Sequence, residues 1–330
     1  MVAEHRLALH ATLPDRYARH EVLASTIDRC GRLAALVADP AQGFVAIPRL
    51  SALRPPPRYD ATAVICDGAE VHEIPLTDLD QRFTLIDSYG DGIVVAAARC
   101  RPIGLGSKDY QEPVPEDELH LTDNVRIIDG SGQTQSAFYA GDGLEQLMTD
   151  AQGGIWISYF DESNYWFPNP DGTRSNGFAI GLTRWSSDGG QPWMAPFHTP
   201  DVFWCHCYAL NVGRDVVHAY PYPDFPLIEI DHHDVRSITP NPITSCHGLA
   251  ISGPEMAFLD QHRTGGGFRW EIRRARRQSG AVTESDRLNL LLPHDRHPNG
   301  WARGKIGRDG TLWLHEDGDP RHWYRYEMNS

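Results

Sequence analysis

A turn followed by a short apolar run recurs along this chain, and that repeat restricts the fold more than any other feature. The runs follow DRCG at Gly31, SYGDG at Gly92 and DAQGG at Gly153, glycines that stand 61 residues apart, twice. Further copies start around Asp215 (VGRDVVHAYPY), Pro254 (ISGPEMAFLDQ) and Gly310 (GRDGTLWLHED). Each run is too short for a helix and is bounded by turn residues, which reads as a buried strand. A strand with small or polar interruptions precedes each turn: LASTID, FTLID, LEQLMTD, CYALNV, HGLAIS and ARGKIG. A second hairpin follows in most units, as in TAVICDGAEVHEI and VRIIDGSGQTQSAF, with Asp-Gly or Gly-Gly at the positive-φ turn positions. Four strands in each of six units predict an all-β fold, a six-bladed β-propeller of four-stranded blades.

The termini refine this expectation. The last unit stops one strand short after RHWYRYEM, and HRLALHATL at 5–13 is left over at the other end. Pairing of strand 5–13 with the last blade, 301–328, would close the ring, leave no open edge at the seam and make 1–330 a single domain. The alternatives are a seventh blade and an N-terminal strand that pairs with nothing. Trp156 and Trp313 fall in one register of two units, with His218 in that register of the fourth, so both tryptophans are expected in the core.

Composition limits the function classes. With 330 residues, 41% of them hydrophobic and 22% charged, the chain can bury a large core. Its net charge of −14 repels a phosphate backbone, so no nucleic-acid partner is expected. The densest basic run, RRARR at 273–277, reads as the solvated turn of a hairpin. Neither a signal peptide nor a membrane-length apolar stretch stands in the sequence, and the expectation is a soluble, cytoplasmic protein. Six cysteines without a C-x-x-C pair argue for reduced core thiols. Only two of the 30 basic residues are lysines, Lys108 and Lys305, a bias that reads as genome composition.

The six-unit pattern with D-G-x-[IL]-W turns resembles the superfamily of six-bladed propellers that includes gluconolactonase-like and strictosidine-synthase-like proteins. The blade motif is also similar to that of the seven-bladed streptogramin lyases. YFDE, CYALNV and YPDFPL resemble uncharacterised bacterial propeller proteins, a likeness that brings no function with it. The superfamily resemblance covers nearly the whole chain and implies architecture. The metal-ligand set of the lactonase-like enzymes is not matched residue by residue.

In such a fold the second strand of every unit ends at one face, around the mouth of the central channel. Asp39, Asp161, Glu162, Asp224, Asp260, His262, Glu316 and Asp317 occupy these ends, while the second unit offers Arg99 and Arg101. The approach to each first strand adds Asp142, Glu145, His206, His247, His297 and Asn299. Three long loops, 40–60, 101–124 and 163–178, fall on the same side, the last with Tyr165, Trp166 and Phe167. Taken singly, each acid reads as a wet strand end. Taken together, carboxylates and imidazoles around one funnel suit a hard or borderline cation or acid–base work.

The expected assignment places one divalent cation (Ca, Mg or Zn) on some of Asp161, Glu162, Asp224, Asp260 and Glu316. His206, His247 and His262 would carry protons, and Asp142, Glu145, Arg101, Trp166 and Asn299 would bind substrate. Nucleotide and flavin fingerprints are missing in any fitting context. The reaction expected is metal-assisted hydrolysis or lysis of a small polar molecule such as a lactone or cyclic ester. The alternative is a non-catalytic propeller that grips a protein partner or sequesters a small molecule through the same face.

Overall fold

Asp-x-x-Gly turns set the local geometry. The Asp28 carboxylate accepts the amides of Cys30 and Arg32 at 2.9 and 2.8 Å, and Gly31 takes the positive φ of 77° that the reversal needs. Asp150 does the same through Gln152 and Gly154, with Gly153 at φ 80°. The apolar runs that follow these turns are buried on both faces, as LAALVA and IWISY are at every position. Burying each large apolar side chain in such a run contributes about 1.5–3 kcal/mol.

The structure, a computed structural model, describes residues 2–42, 58–100, 123–165, 179–231, 233–265 and 267–328. It is nearly all β and consists of four-stranded antiparallel meanders in chain order. The first comprises β3 (Glu21–Ile27), β4 (Leu33–Ala38), β5 (Tyr59–Asp67) and β6 (Glu70–Leu79). The second comprises β7 (Thr84–Tyr89), β8 (Gly92–Ala97), β9 (Val125–Ile128) and β10 (Thr134–Phe138). The third runs β11 (Leu144–Thr149), β12 (Ile155–Tyr159), β13 (Leu182–Trp185) and β14 (Trp193–Met194).

The fourth run is β15 (His206–Val212), β16 (Val217–Tyr222), β17 (Leu227–Asp231) and β18 (Asp234–Thr239). The fifth is β19 (Gly248–Ser252), β20 (Glu255–Thr264), β21 (Gly267–Gln278) and β22 (Ala281–Leu291). The last has three strands from the C-terminal end, β23 (Ala302–Arg308), β24 (Thr311–Glu316) and β25 (Asp319–Glu327). A single parallel bridge, Asn211 to Gly307, joins the fourth and last runs into one eight-stranded sheet. Gly307 permits a close approach to two neighbours: a Cβ there would collide with the Leu249 carbonyl of β19 and crowd the Leu210 carbonyl of β15 at 3.1 Å.

The N-terminal segment forms two short strands. β2 (Ala8–Thr12) pairs antiparallel with β25, Ala8 opposite Arg325, while β1 (Ala3–Arg6) lies parallel along β22. Leu7, between them, is buried. First strands touch one another in succession: β3 with β7, β7 with β11, β11 with β15, β15 with β19, β19 with β23, and β23 with β3.

Trp156 and Trp313 are both buried, and so is His218 in their register. RRARR corrects the sequence reading: Arg273, Arg274, Arg276 and Arg277 lie inside β21, and the turn is at Ser279 and Gly280. Their charges pair across the sheet with Glu284, Asp286 and Glu255, and with Glu229 of the neighbouring fourth meander. No helix among the described residues is long and apolar enough to cross a membrane.

Candidate functional site

The two ends of the first strands differ in how their charges are satisfied. At the C-terminal end, Arg308 donates to the Asp87 carboxylate at 2.8 Å and to the Thr149 carbonyl at 3.0 Å, bridging β23, β7 and β11. Asp87 is fully buried and also accepts the amides of Ser88 and Thr149. Burial pushes its carboxyl upward, opposed by Arg308 and these donors. Close by in sequence, Asp150 receives Arg184 Nε at 2.8 Å and Trp156 Nε1 at 2.9 Å. This end is a closed floor in which the buried charges meet one another, although Arg308 Nε has no partner among the described residues.

The opposite end is built by bulges. In β3, β11 and β15 one extra residue interrupts the pairing four places before the strand's last residue: Leu23, Glu145 and Tyr208. In β23 the interruption is two residues long, Gly304 and Lys305, both at positive φ (72° and 51°). Bulges re-aim side chains and are common beside functional sites. A Cβ at Gly304 would strike the Trp323 ring, which explains the glycine; a lysine at φ 51° is a genuine departure. Gln146 Nε2 donates to the Lys305 carbonyl at 3.2 Å, tying the third meander to the last.

Two histidines complete this mouth. His206 opens β15, and His247 immediately precedes β19. The Tyr208 ring lies between them, 4.5 Å from His206 and 4.9 Å from His247 between centroids, nearly parallel to the latter at 24°. Glu145, His206, Tyr208, His247 and Lys305 are all half-buried, as expected of groups lining a recess. Burial lowers the His206 pKa, with Glu145 and Asp161 pulling the other way. For His247, burial followed by the charges of Lys305 and His206 brings the pKa down to about 4. Burial also lowers the Lys305 ammonium, against the pull of Glu145. Both imidazoles are therefore neutral at pH 7 and able to accept a proton.

The other sequence-derived candidates are distributed differently. Asp142 is buried and accepts the Cys100 amide at 2.7 Å and Arg99 Nε at 3.2 Å. Arg99 also pairs with Glu162 and lies 5.3 Å from the Phe160 ring, which neighbours His206. Glu316 is buried under Arg296, at 3.0 and 2.6 Å, and accepts the Asn299 amide at 2.7 Å. Asp161 and Asp224 are exposed. Arg101 and Trp166 lie outside the described residues, as does most of the three long loops. The five carboxylates proposed for one cation are thus not gathered into one ligand group.

One set of ligand-type groups does meet. Asp260 sits directly across from Glu271 in the β20–β21 pairing, and His262 is two residues further on the same face. One ligand atom from each lies within 4.8 Å of the others, a donor set that suits zinc or another borderline cation. Arg287 also reaches Glu271, at 3.2 Å, and would compete with an ion. The trio is at the same end as His247, whose amide donates at 2.9 Å to Leu259, the residue before Asp260. Glu271, Tyr208 and Lys305 were not singled out from sequence. The thiols of Cys207 and Cys246 are buried and pushed up to about 12, so neither is an activated nucleophile.

No protein-family model and no curated protein sequence matches the chain. Among solved structures, it is similar to a subtype N11 neuraminidase-like protein of A/flat-faced bat/Peru/033/2010, at 10% identity and TM-score 0.46, over 100% of this chain and 97% of that one. It is also similar to XC5397, a gluconolactonase from Xanthomonas campestris, at 10% identity and TM-score 0.32, over 99% and 96%. A third likeness is to an alpha-L-arabinanase from Penicillium chrysogenum, at 10% identity and TM-score 0.30, over 94% and 82%. At these scores the likenesses carry no inference about what this chain does.

Proposed function

We propose that the six meanders are the blades of a closed β-propeller whose axial mouth is the active site of a hydrolase or lyase. Its substrate is a small polar carbonyl compound of the lactone or cyclic-ester type. Support for the closed ring comes from the cyclic contacts of the first strands and from β2 completing the last blade beside β25. The catalytic reading is carried by one observation. Glu145, His206, Tyr208, His247 and Lys305 come from four meanders to one end, and among the described residues none has a hydrogen bond or ion pair to its side-chain polar atoms. Titratable groups that converge on one recess without protein partners are free to engage a ligand.

In this reading His206 or His247 takes the proton from an attacking water and returns it to the leaving oxygen. Tyr208 holds the two rings in place and can donate its hydroxyl proton to a developing oxyanion. A divalent cation held by Asp260, His262 and Glu271 would supply carbonyl polarisation. Its site already has a resident cation in Arg287, so the proton chemistry is assigned to the mouth itself.

The test is a turnover screen of small lactones and cyclic esters with the native chain and with His206→Gln and His247→Gln. The expected result is hydrolysis that falls by about 10²–10⁴-fold in either variant. A non-catalytic propeller predicts ligand-induced thermal stabilisation without turnover. Hydrolysis that is indifferent to both substitutions would remove the mouth from the reaction.

A further inference from the structure

The sequence uses arginine almost everywhere for positive charge, and Lys305 is the one lysine among the described residues. Among the described residues every ion pair that is not made by a histidine is made by an arginine, including Arg308, Arg184, Arg99, Arg296 and Arg303. Lys305 instead sits on a two-residue bulge at φ 51°, with its ammonium unpartnered among the described residues. If the mouth needed only charge, a guanidinium would serve, and it would do so without the strained backbone. What lysine offers and arginine cannot is an amine that loses its proton.

We propose that Lys305 is a covalent nucleophile that captures an aldehyde or ketone substrate at the axial mouth as an imine. This rests on the mouth being the active site and goes beyond the lactone or cyclic-ester substrate to a lyase-type reaction of an aldehyde or ketone there. The neutral Nζ adds its lone pair to the carbonyl carbon, forming the C–N bond while the C=O π pair moves onto oxygen. His206 or His247 relays the two Nζ protons to that oxygen, which departs as water and leaves the C=N bond. Amine plus carbonyl compound gives imine plus water, with no redox partner. The mouth holds each requirement: an amine whose protonated form is disfavoured by burial, neutral imidazoles around the Tyr208 ring to move protons, and Glu145 to attract the iminium charge. A proton taken up from solvent on the imine nitrogen gives the iminium, which draws in the electron pair of an adjacent C–H bond; that proton passes to the second imidazole, and the resulting enamine is what an elimination needs.

Borohydride trapping tests this on the native chain. Pyruvate and propanal are incubated separately with the protein at pH 7, sodium borohydride is added, and peptide mass spectrometry locates the reduced adduct. Two lysines make the assignment direct, with Lys108 as the internal control. The expected result is preferential labelling of Lys305, with Lys108 near background. Lys305→Arg should lose the adduct with its melting temperature preserved. Equal labelling of both lysines, or no Lys305 adduct with either probe, overturns the imine. Lactone hydrolysis that still depends on His206 and His247 would then show that only the imine inference had failed, whereas loss of both results would sink the mouth as well.

Discussion

The floor and the mouth of the first strands carry similar residues in opposite circumstances. At the floor, Asp87 and Arg308 are almost completely buried, and each charge meets charged or backbone partners across three strands. At the mouth, Glu145, His206, His247 and Lys305 are half-buried and unpartnered among the described residues. Breaking a paired buried ion costs stability, while titratable groups at a recess without protein partners are available to a ligand. The floor therefore reads as structure and the mouth as chemistry.

The largest effect that could break this contrast is a direct comparison of Arg308→Met with Lys305→Met in urea denaturation. Arg308→Met strands the Asp87 carboxylate and should cost about 3–5 kcal/mol. Lys305→Met should cost about 1 kcal/mol or less, or stabilise. Similar losses in both would mean that the mouth is as structural as the floor.

Zinc sharpens the contrast from the side of the sheet. Binding at Asp260, His262 and Glu271 should stabilise the chain by about 2.7 kcal/mol at a hundredfold excess over Kd. Glu271→Gln should remove that gain in a thermal melt, and an unchanged gain would place the ion elsewhere.

Acid acts next. His218, then Arg277, hold Glu229 down to about 2 against burial. Because the folded pKa is depressed, this stability is complete above the ordinary carboxylate value near 4.5 and is lost as pH falls toward 2. Glu229→Gln should flatten that limb by about 1–2 kcal/mol after solvent screening, read from unfolding at successive pH values. The smallest effect is a silence: Cys207 and Cys246 should not react with a thiol reagent in the native chain, while exposed Cys30 should.

The fold was legible because turn chemistry and strand patterning are local. Asp28 with Gly31 and Asp150 with Gly153 announce reversals, and the runs after them can be nothing but buried strands. RRARR misled because its charges are matched by Glu284 on the paired β22 and by Glu229 of the neighbouring meander, which only the folded arrangement brings near. Asp142 and Glu316 looked like free rim acids for the same reason: Arg99 and Arg296 close over them only once the strands are paired. Lys305 was hidden more deeply. Its direction depends on two successive positive-φ residues that break strand alternation, and Lys-Ile-Gly carries no local signal for that. Glu271 is eleven residues from Asp260, and only their antiparallel register makes them neighbours.

Convergence at the mouth can be measured through His247 alone. Heteronuclear NMR of histidine-labelled protein should give a ring titration midpoint near 4, and Lys305→Met should raise it by removing a facing positive charge. A midpoint near 6.5 that ignores the substitution would mean that His247 and Lys305 do not face one another, and the proposed site would not exist.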